Sequence, residues 1–345
     1  MHVSAVPTDC GSRERVVPAK SLSTTAFGRV VACVDTSEVS RKVIPHAVVL
    51  ANAVRAPLTV LHVLEIEPTA GIPADPVEWD IRRHSAHDHA MRVVRSHGGD
   101  VAEIDVRIIE GQPAEQICLW ARSHKAGATV IGTRSNEGAP AWQLGDTARR
   151  LLDQASGMLL LVPATVADVP IVHYRRLLVP LDGSCQAESA LPLAMRIAEA
   201  EDAELLLVHV VPVPELTEVG PLEAADIRLR QDVISRNEQV ARQYLDRIRA
   251  LVEERGIGAR NLLLCDGDVR NQLTRLVVEE SVDLVVLSAH GRTARADVSC
   301  GSIASYLVTH AQAPLLLKLN GTLASARRMI PGSGRNGRFL SRAAL

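Results

Sequence analysis

Arg29-Val-Val-Ala-Cys-Val-Asp35 returns as Arg176-Leu-Leu-Val-Pro-Leu-Asp182, a short apolar run opened by arginine and closed by aspartate, 147 residues further on. The same offset carries Pro45 onto Pro192 and His62 onto His209. Further along, Gly111 maps to Gly267, Ile131 to Leu287 and Gly145 to Gly301 with an offset of 156, so the second copy holds nine more residues between its second and third strands. A period near 150 residues is a duplicated domain rather than a solenoid repeat.

Within each copy short apolar runs alternate with stretches of helical spacing. The first copy predicts strands at 30–35, 57–65, 104–110, 129–132 and 158–162, with helices at 37–54, 77–96, 113–125 and 145–154. The second predicts strands at 177–182, 203–211, 261–266, 283–288 and 314–318. Strands alternating with helices imply a parallel sheet with right-handed crossovers. Ligands of such sheets sit in a crevice beyond the carboxyl ends of the strands. Asp35 and Asp182, together with the loops after the fourth strands, are therefore the candidate site positions.

Composition agrees with two domains of this class. The 345 residues are 47% hydrophobic but only 2% aromatic, so the cores must be built from Val, Leu, Ile and Ala, the palette of buried parallel strands. A net charge of -2 gives no global reason to expect nucleic acid. The six cysteines, Cys10, Cys33, Cys118, Cys185, Cys265 and Cys300, form no C-x-x-C pair and suggest no secreted disulfide framework. Neither a signal-type apolar segment nor a run of about 18 apolar residues is found, so the expectation is a soluble cytoplasmic protein with no membrane contact. The expected limits are a disordered N-terminal tail at 1–26, domains at 27–164 and 173–319, a linker at 165–172 marked by Pro170, and a disordered basic tail at 320–345. That tail carries five arginines and no acid, a solvated segment with weak attraction for an anionic partner as the sharper reading.

The loop after the fourth strand of the second copy reads Leu287-Ser-Ala-His-Gly291-Arg-Thr-Ala-Arg-Ala-Asp-Val-Ser-Cys-Gly301-Ser302-Ile303. It leaves a strand and opens a helix. Glycines let backbone N–H groups approach a phosphate, and the helix start offers unpaired donors at the positive end of its dipole. A turn followed by an ordinary Ser N-cap explains the same residues without a ligand.

This loop resembles the G-x2-G-x9-G-[ST] signature of the universal stress proteins, with Gly291, Gly301 and Ser302 in register and Asp182-Gly183-Ser184 at the matching first-strand end. The resemblance spans both repeats. It implies two tandem Rossmann-like (adenine nucleotide alpha hydrolase-like) α/β domains, each a five-stranded parallel sheet flanked by helices, paired through their last strands. It also implies a stress-response regulator with ATP, with or without magnesium, in the second repeat. The residues so implicated are Asp182, Gly183, Ser184, Val210, Ser288, His290, Gly291, Arg292, Gly301, Ser302 and Ile303. An unidentified regulatory protein partner and association of two chains follow from the same resemblance.

Departures from the signature separate the copies. Ser288 stands at its first glycine, where a hydroxyl either crowds or hydrogen-bonds a ribose. In the first copy Asp35, Gly132 and Gly145 remain, but Ser135 replaces the middle glycine and Asp146 the final Ser/Thr. Asp146 as a helix cap would occupy the N–H groups a phosphate uses and, with Glu137, repel it, so a degenerate site is expected there. A slow ATPase or nucleotidyl enzyme, and a scaffold without nucleotide, are the rival readings. No catalytic constellation and no dedicated metal site is expected.

Other signals weigh less. Gly332-Ser-Gly334-Arg-Asn-Gly337 has the letters of a dinucleotide fingerprint but neither the strand before it nor the helix after it. His84, His87 and His89 with Asp80 and Asp88 crowd one helix and read as a solvated face. His62 and His209 read as hydrogen-bonded histidines of the apolar strands near the crevice. Cys300, just before a helix start, is a candidate for an activated thiolate or a small buried side chain.

Overall fold

The computed structural model describes residues 27–65, 76–97, 104–134, 144–211, 224–265, 267–291 and 300–319. Both sequence tails, Ser135, Glu137, Arg292 and Cys10 lie outside them.

The first repeat runs β1 (Arg29–Val34), α1 (Val39–Val54), β2 (Leu58–Leu64), α2 (Pro76–His97), β3 (Ile104–Glu110), α3 (Pro113–Ser123), β4 (Ala126–Gly132), α4 (Asp146–Gln154) and β5 (Gly157–Val162). The second runs β6 (Arg176–Pro180), α5 (Cys185–Glu188), α6 (Leu191–Glu201), β7 (Glu204–Val211), α7 (Ala224–Glu253), β8 (Ala259–Cys265), α8 (Val269–Glu279), β9 (Leu284–Ser288), α9 (Ser302–His310) and β10 (Leu315–Leu319). Each repeat is the expected five-stranded parallel sheet flanked by helices, a Rossmann-like fold.

The insertion in the second repeat lengthens a helix: α7 has 30 residues where α2 has 22. The helix after the first strand also differs. Pro45 sits inside a continuous α1, whereas Pro192 opens α6 after the short α5, which Ser184 caps by accepting from the Ala187 N–H at 3.2 Å.

The strands form one sheet in the order β3-β2-β1-β4-β5-β10-β9-β6-β7-β8. The repeats meet at β5 and β10, which pair antiparallel with Leu160 opposite Leu316 and Leu159 opposite Leu317. Apolar last strands thereby cover each other's edges. Because that join is antiparallel and every pairing within a repeat is parallel, the carboxyl ends of the two halves point to opposite edges of the sheet.

Strand residues alternate between two cores, Val30, Ala32 and Val34 facing the layer of α1, α2, α6 and α7, Val31 and Cys33 the layer of α3, α4, α8 and α9. The first core is shared between repeats. His46 of α1 hydrogen-bonds the Tyr174 hydroxyl through Nδ1 at 2.7 Å and stacks on its ring, and Arg196 of α6 donates to the Val54 carbonyl at 3.1 Å. Burial drives the His46 pKa down to about 4.

Candidate functional site

In each repeat strand order reverses between the first and fourth strands, β1 beside β4 and β6 beside β9. Loops leaving two such strands diverge to opposite faces and open a crevice. The second repeat has there a hollow of about 600 Å³. Its walls include Asp182 and Gly183 after β6, Val210 and Val211 at the end of β7, Ser288 to Gly291 after β9, and Gly301 to Ala304 at the start of α9. The structure thus brings together every described residue of the implicated set except Ser184, which stands one step behind the wall and holds it.

Ser184 fixes the carboxylate. Asp182 Oδ1 accepts from the Ser184 N–H at 2.9 Å and the Ser184 hydroxyl at 2.6 Å. Gly183 between them has φ +79°, a backbone angle that favours glycine. Opposite, Gly291 lies against this carboxylate, and a Cβ at Gly291 would collide with Asp182 Oδ2. Gly301 is the N-cap residue of α9 and brings no side-chain cap; its N–H donates to the Ala289 carbonyl at 2.7 Å. Ser302, Ile303 and Ala304 of the α9 first turn line the hollow, and among the described residues no side-chain cap is bonded there, an arrangement suited to an anion.

The inner wall is apolar. His209 Nδ1 donates to the Leu181 carbonyl at 2.8 Å, and Tyr244 of α7 meets its ring edge-on with centroids 6.3 Å apart. Arg247 lies over Tyr244 and pairs with Glu188 at 3.2 Å. Burial, then the nearby Glu188 carboxylate, push the Tyr244 phenol upward. Sequence reasoning missed this wall: Asn237, Val240, Ala241 and Tyr244 of α7, Val269 and Leu273 of α8. The available signal was the apolar spacing of Ala241, Leu245, Ile248 and Val252, which are buried and fix the inward face of α7.

Ser288 is buried and accepts from the His290 N–H at 3.4 Å, so its hydroxyl turns back into its own loop. His290 is buried as well and lines the hollow. Cys300 is a buried side chain whose pKa burial raises, which corrects the thiolate reading.

The first repeat keeps a hollow of about 640 Å³ among Asp35, His62, Val63, Gly132, Gly145 and Asp146. Its backbone repeats the second site: the Gly145 N–H donates to the Thr133 carbonyl at 2.8 Å, and Gly145 is an N-cap residue with no side-chain cap. Asp35 Oδ1 accepts from the Ser37 N–H at 2.9 Å and from the Ser40 hydroxyl at 2.7 Å. Asp146 does not cap α4. It is the first residue of that helix, its side chain is 79% exposed, and it pairs with Arg149 at 2.8 Å. The expectation of a carboxylate plugging the helix end is corrected: at this position a short side chain points outward past the N–H groups, and the nearby arginine draws it along the surface. On α2, His84 Nδ1 bonds the Asp80 carbonyl at 2.8 Å, and among the described residues no group of three metal-type ligands is gathered. Nor, among them, is any helix long and apolar enough to cross a membrane.

A doubly wound tandem with a crevice at the strand-order reversal of each half is thus defined by geometry alone. The chain belongs to the universal stress protein family, whose profile matches residues 26–163 and again 173–317. A universal stress protein of Mycolicibacterium smegmatis is 26% identical over 312 residues, covering 86% of this chain and 98% of that protein. One from Mycobacterium tuberculosis is 21% identical over 271 residues, 76% of this chain and 86% of its own length. Among solved structures, a universal stress protein from Archaeoglobus fulgidus superposes with a TM-score of 0.57 at 19% identity, covering 84% of this chain and 96% of that one, a likeness of fold.

Proposed function

We propose that this universal stress protein is a regulatory nucleotide-binding module that holds ATP in its second repeat. The observation that carries the reading is the uncapped first turn of α9 facing Asp182 across Gly291. In this reading the N–H groups of 302–304 and the Ser302 hydroxyl take phosphate oxygens, and Asp182 accepts from the ribose hydroxyls. Val210, Val211, Val240 and Leu273 flank the base. Gly291 suits the group because a side chain there would press on the Asp182 carboxylate, and Gly301 because a side chain would crowd the Ala289 carbonyl that its own N–H bonds. The expectation for Arg292 concerns a residue outside the described ones, and any magnesium would come with the nucleotide. Repeat 1 is expected to hold a triphosphate less well, since Ser135 and Asp146 stand where Gly291 and Ser302 do in repeat 2. A partner protein would read the nucleotide state in a stress response in the cytoplasm.

Native mass spectrometry of the purified chain tests this: one ATP per chain is expected, lost in Gly301→Asp. Absence of ATP both as purified and after addition of millimolar ATP overturns it. Single-turnover assays separate binding from slow hydrolysis, and turnover abolished in Gly301→Asp would favour the enzyme.

A further inference from the structure

An amine ties the helix after the first strand to the last strand in both repeats, but in opposite directions. In the first, Lys42 of α1 donates from Nζ to the Ala164 carbonyl just past β5, at 2.6 Å. In the second, the position 147 residues on from Lys42 is Ser189, which brings only its carbonyl. The amine comes instead from β10: Lys318 donates from Nζ to the Ser189 carbonyl at 3.2 Å. Lys318 stands 156 residues after Val162, which has no amine to give.

The helices explain the reversal. α1 runs unbroken for 16 residues and is buried along most of its length, so it lends its lysine to the chain beyond. α5 has four residues. A single turn fixes several dihedrals for about one internal hydrogen bond, so it depends on what holds its ends. Ser184 caps the first end. At the other, Ser189 is the C-cap residue, and three positions further on stands Pro192, with no N–H to offer its carbonyl. An ammonium is a fitting donor for a carbonyl at a helix end.

The backbone of the same lysine serves the facing wall. The Ala289 N–H donates to the Lys318 carbonyl at 2.9 Å, and the Ala289 carbonyl accepts from the Gly301 N–H. Lys318 therefore holds the loop after β9 by its main chain and α5 by its side chain. It lies opposite Met158 of β5, so the tie is rooted in the seam between the repeats.

We propose that Lys318 is a positioning residue of the second site: through α5 and Ser184 it sets the place of the Asp182 carboxylate relative to the phosphate end at 301–304. The path is short. Nζ holds Ser189, the Ser189 and Glu188 N–H groups bond back to the Cys185 and Ser184 carbonyls, and Ser184 gives Asp182 Oδ1 its two hydrogen bonds. The inference rests on the proposed placement of the ribose at Asp182 and adds to it a residue that does not line the hollow.

Lys318→Met removes the amine and keeps an unbranched side chain. Calorimetric titration of the full chain with ATP, 2′-deoxyATP and inorganic triphosphate reads the two ends of the site apart. ATP affinity is expected to fall about threefold to tenfold, the order of one net hydrogen bond. The preference for ATP over 2′-deoxyATP should narrow, inorganic triphosphate should bind as to the wild type, and Lys318→Arg, which keeps a donor, should recover most of the loss. ATP affinity within about twofold of the wild type in Lys318→Met, or an equal fall for inorganic triphosphate, overturns the inference. Hydrogen exchange of the nucleotide-free chain needs no ligand: the amides of 187–189 should exchange about tenfold faster in Lys318→Met while those of α1 keep their rates. If the wild type binds no ATP but this loosening is found, the ATP reading fails and the tie stands. If both proteins bind ATP alike and α5 exchanges at the same rate in both, the tie fails and the ATP reading stands.

Discussion

Replacing Ser302 by aspartate transfers the acid of the first repeat into the second, and the surroundings make the cost calculable. In the first repeat Asp146 is relieved by Arg149, one helical turn on. Three residues beyond Ser302 stands Ser305, so no arginine one turn on takes the part of Arg149 beside the new carboxylate. A unit charge about 4 Å from a phosphate charge costs about 1 kcal/mol at the dielectric of water and about 4 kcal/mol at an effective dielectric of 20. ATP affinity is therefore expected to fall by about fivefold to several hundredfold. The fold should not suffer, because an acid in the first turn of α9 complements the helix dipole by about 0.3–1 kcal/mol. Calorimetric titration with ATP, paired with urea unfolding of the nucleotide-free chain, reads both quantities. Raising the salt to about 0.5 M should shrink the affinity loss, since screening acts on exposed charges. An ATP affinity within twofold of the wild type would refute the electrostatic account. A loss accompanied by a lower unfolding midpoint would assign the effect to packing instead.

His46 is neutral and buried at the contact between repeats, its pKa displaced from 6.5 to about 4. The unfolded chain binds the proton first, so this stability is complete above pH 6.5, falls as the pH drops, and is fully lost below about 4, a total of about 3 kcal/mol. Histidine titration by NMR should show His46 unprotonated at pH 5.5, and His46→Gln should flatten the acid limb of stability against pH; titration near 6.5 would contradict this. Gly291→Ala places a methyl against the Asp182 carboxylate. ATP binding should weaken at least tenfold while the unfolding free energy changes by under about 1 kcal/mol, as measured by titration and urea melts. Brief alkylation at pH 7 followed by peptide mass spectrometry should modify exposed Cys185 before buried Cys33 and Cys300, whose pKa values burial raises.

The architecture was legible because the apolar runs are the strands. Between predicted and observed strands the limits differ mostly by one or two residues, the terminal aspartates falling just outside because the ladder ends before the chain turns into the crevice. The site was legible where the repeat and the glycine signature mark it, at Asp182, Gly183, Val210, Ser288, His290, Gly291, Gly301, Ser302 and Ile303, all of which line the hollow. Asp146 was misread because spacing does not distinguish a residue before a helix from the first residue within it, and one step decides whether the carboxylate crosses the N–H groups or points away. The α7 wall was illegible for another reason. Asn237, Val240 and Tyr244 carry no motif, and they reach the hollow only because four buried residues on the next turns set the rotation of a helix whose length differs between repeats.

The three signature glycines answer to three different constraints, and this decides what each departure means. A Cβ at Gly132 would lie 2.9 Å from Val39 Cγ1 of α1, so the first glycine is a packing requirement of the helix behind it. At the positions 147 residues on from Val39 and Val43 the second repeat has Gln186 and Ala190, and its helix is interrupted between α5 and α6. The wall that excludes a side chain at Gly132 is thus remade, and Ser288 fits, buried, with its hydroxyl directed to its own loop. The last glycine, Gly145 or Gly301, answers to the carbonyl that its own N–H bonds, 3.3 Å and 3.2 Å from a built Cβ. In the second repeat, only the middle one, Gly291, is held to glycine by the carboxylate of the site itself. A serine at the first position therefore says nothing against a ligand, whereas a side chain at the middle position alters the hollow directly.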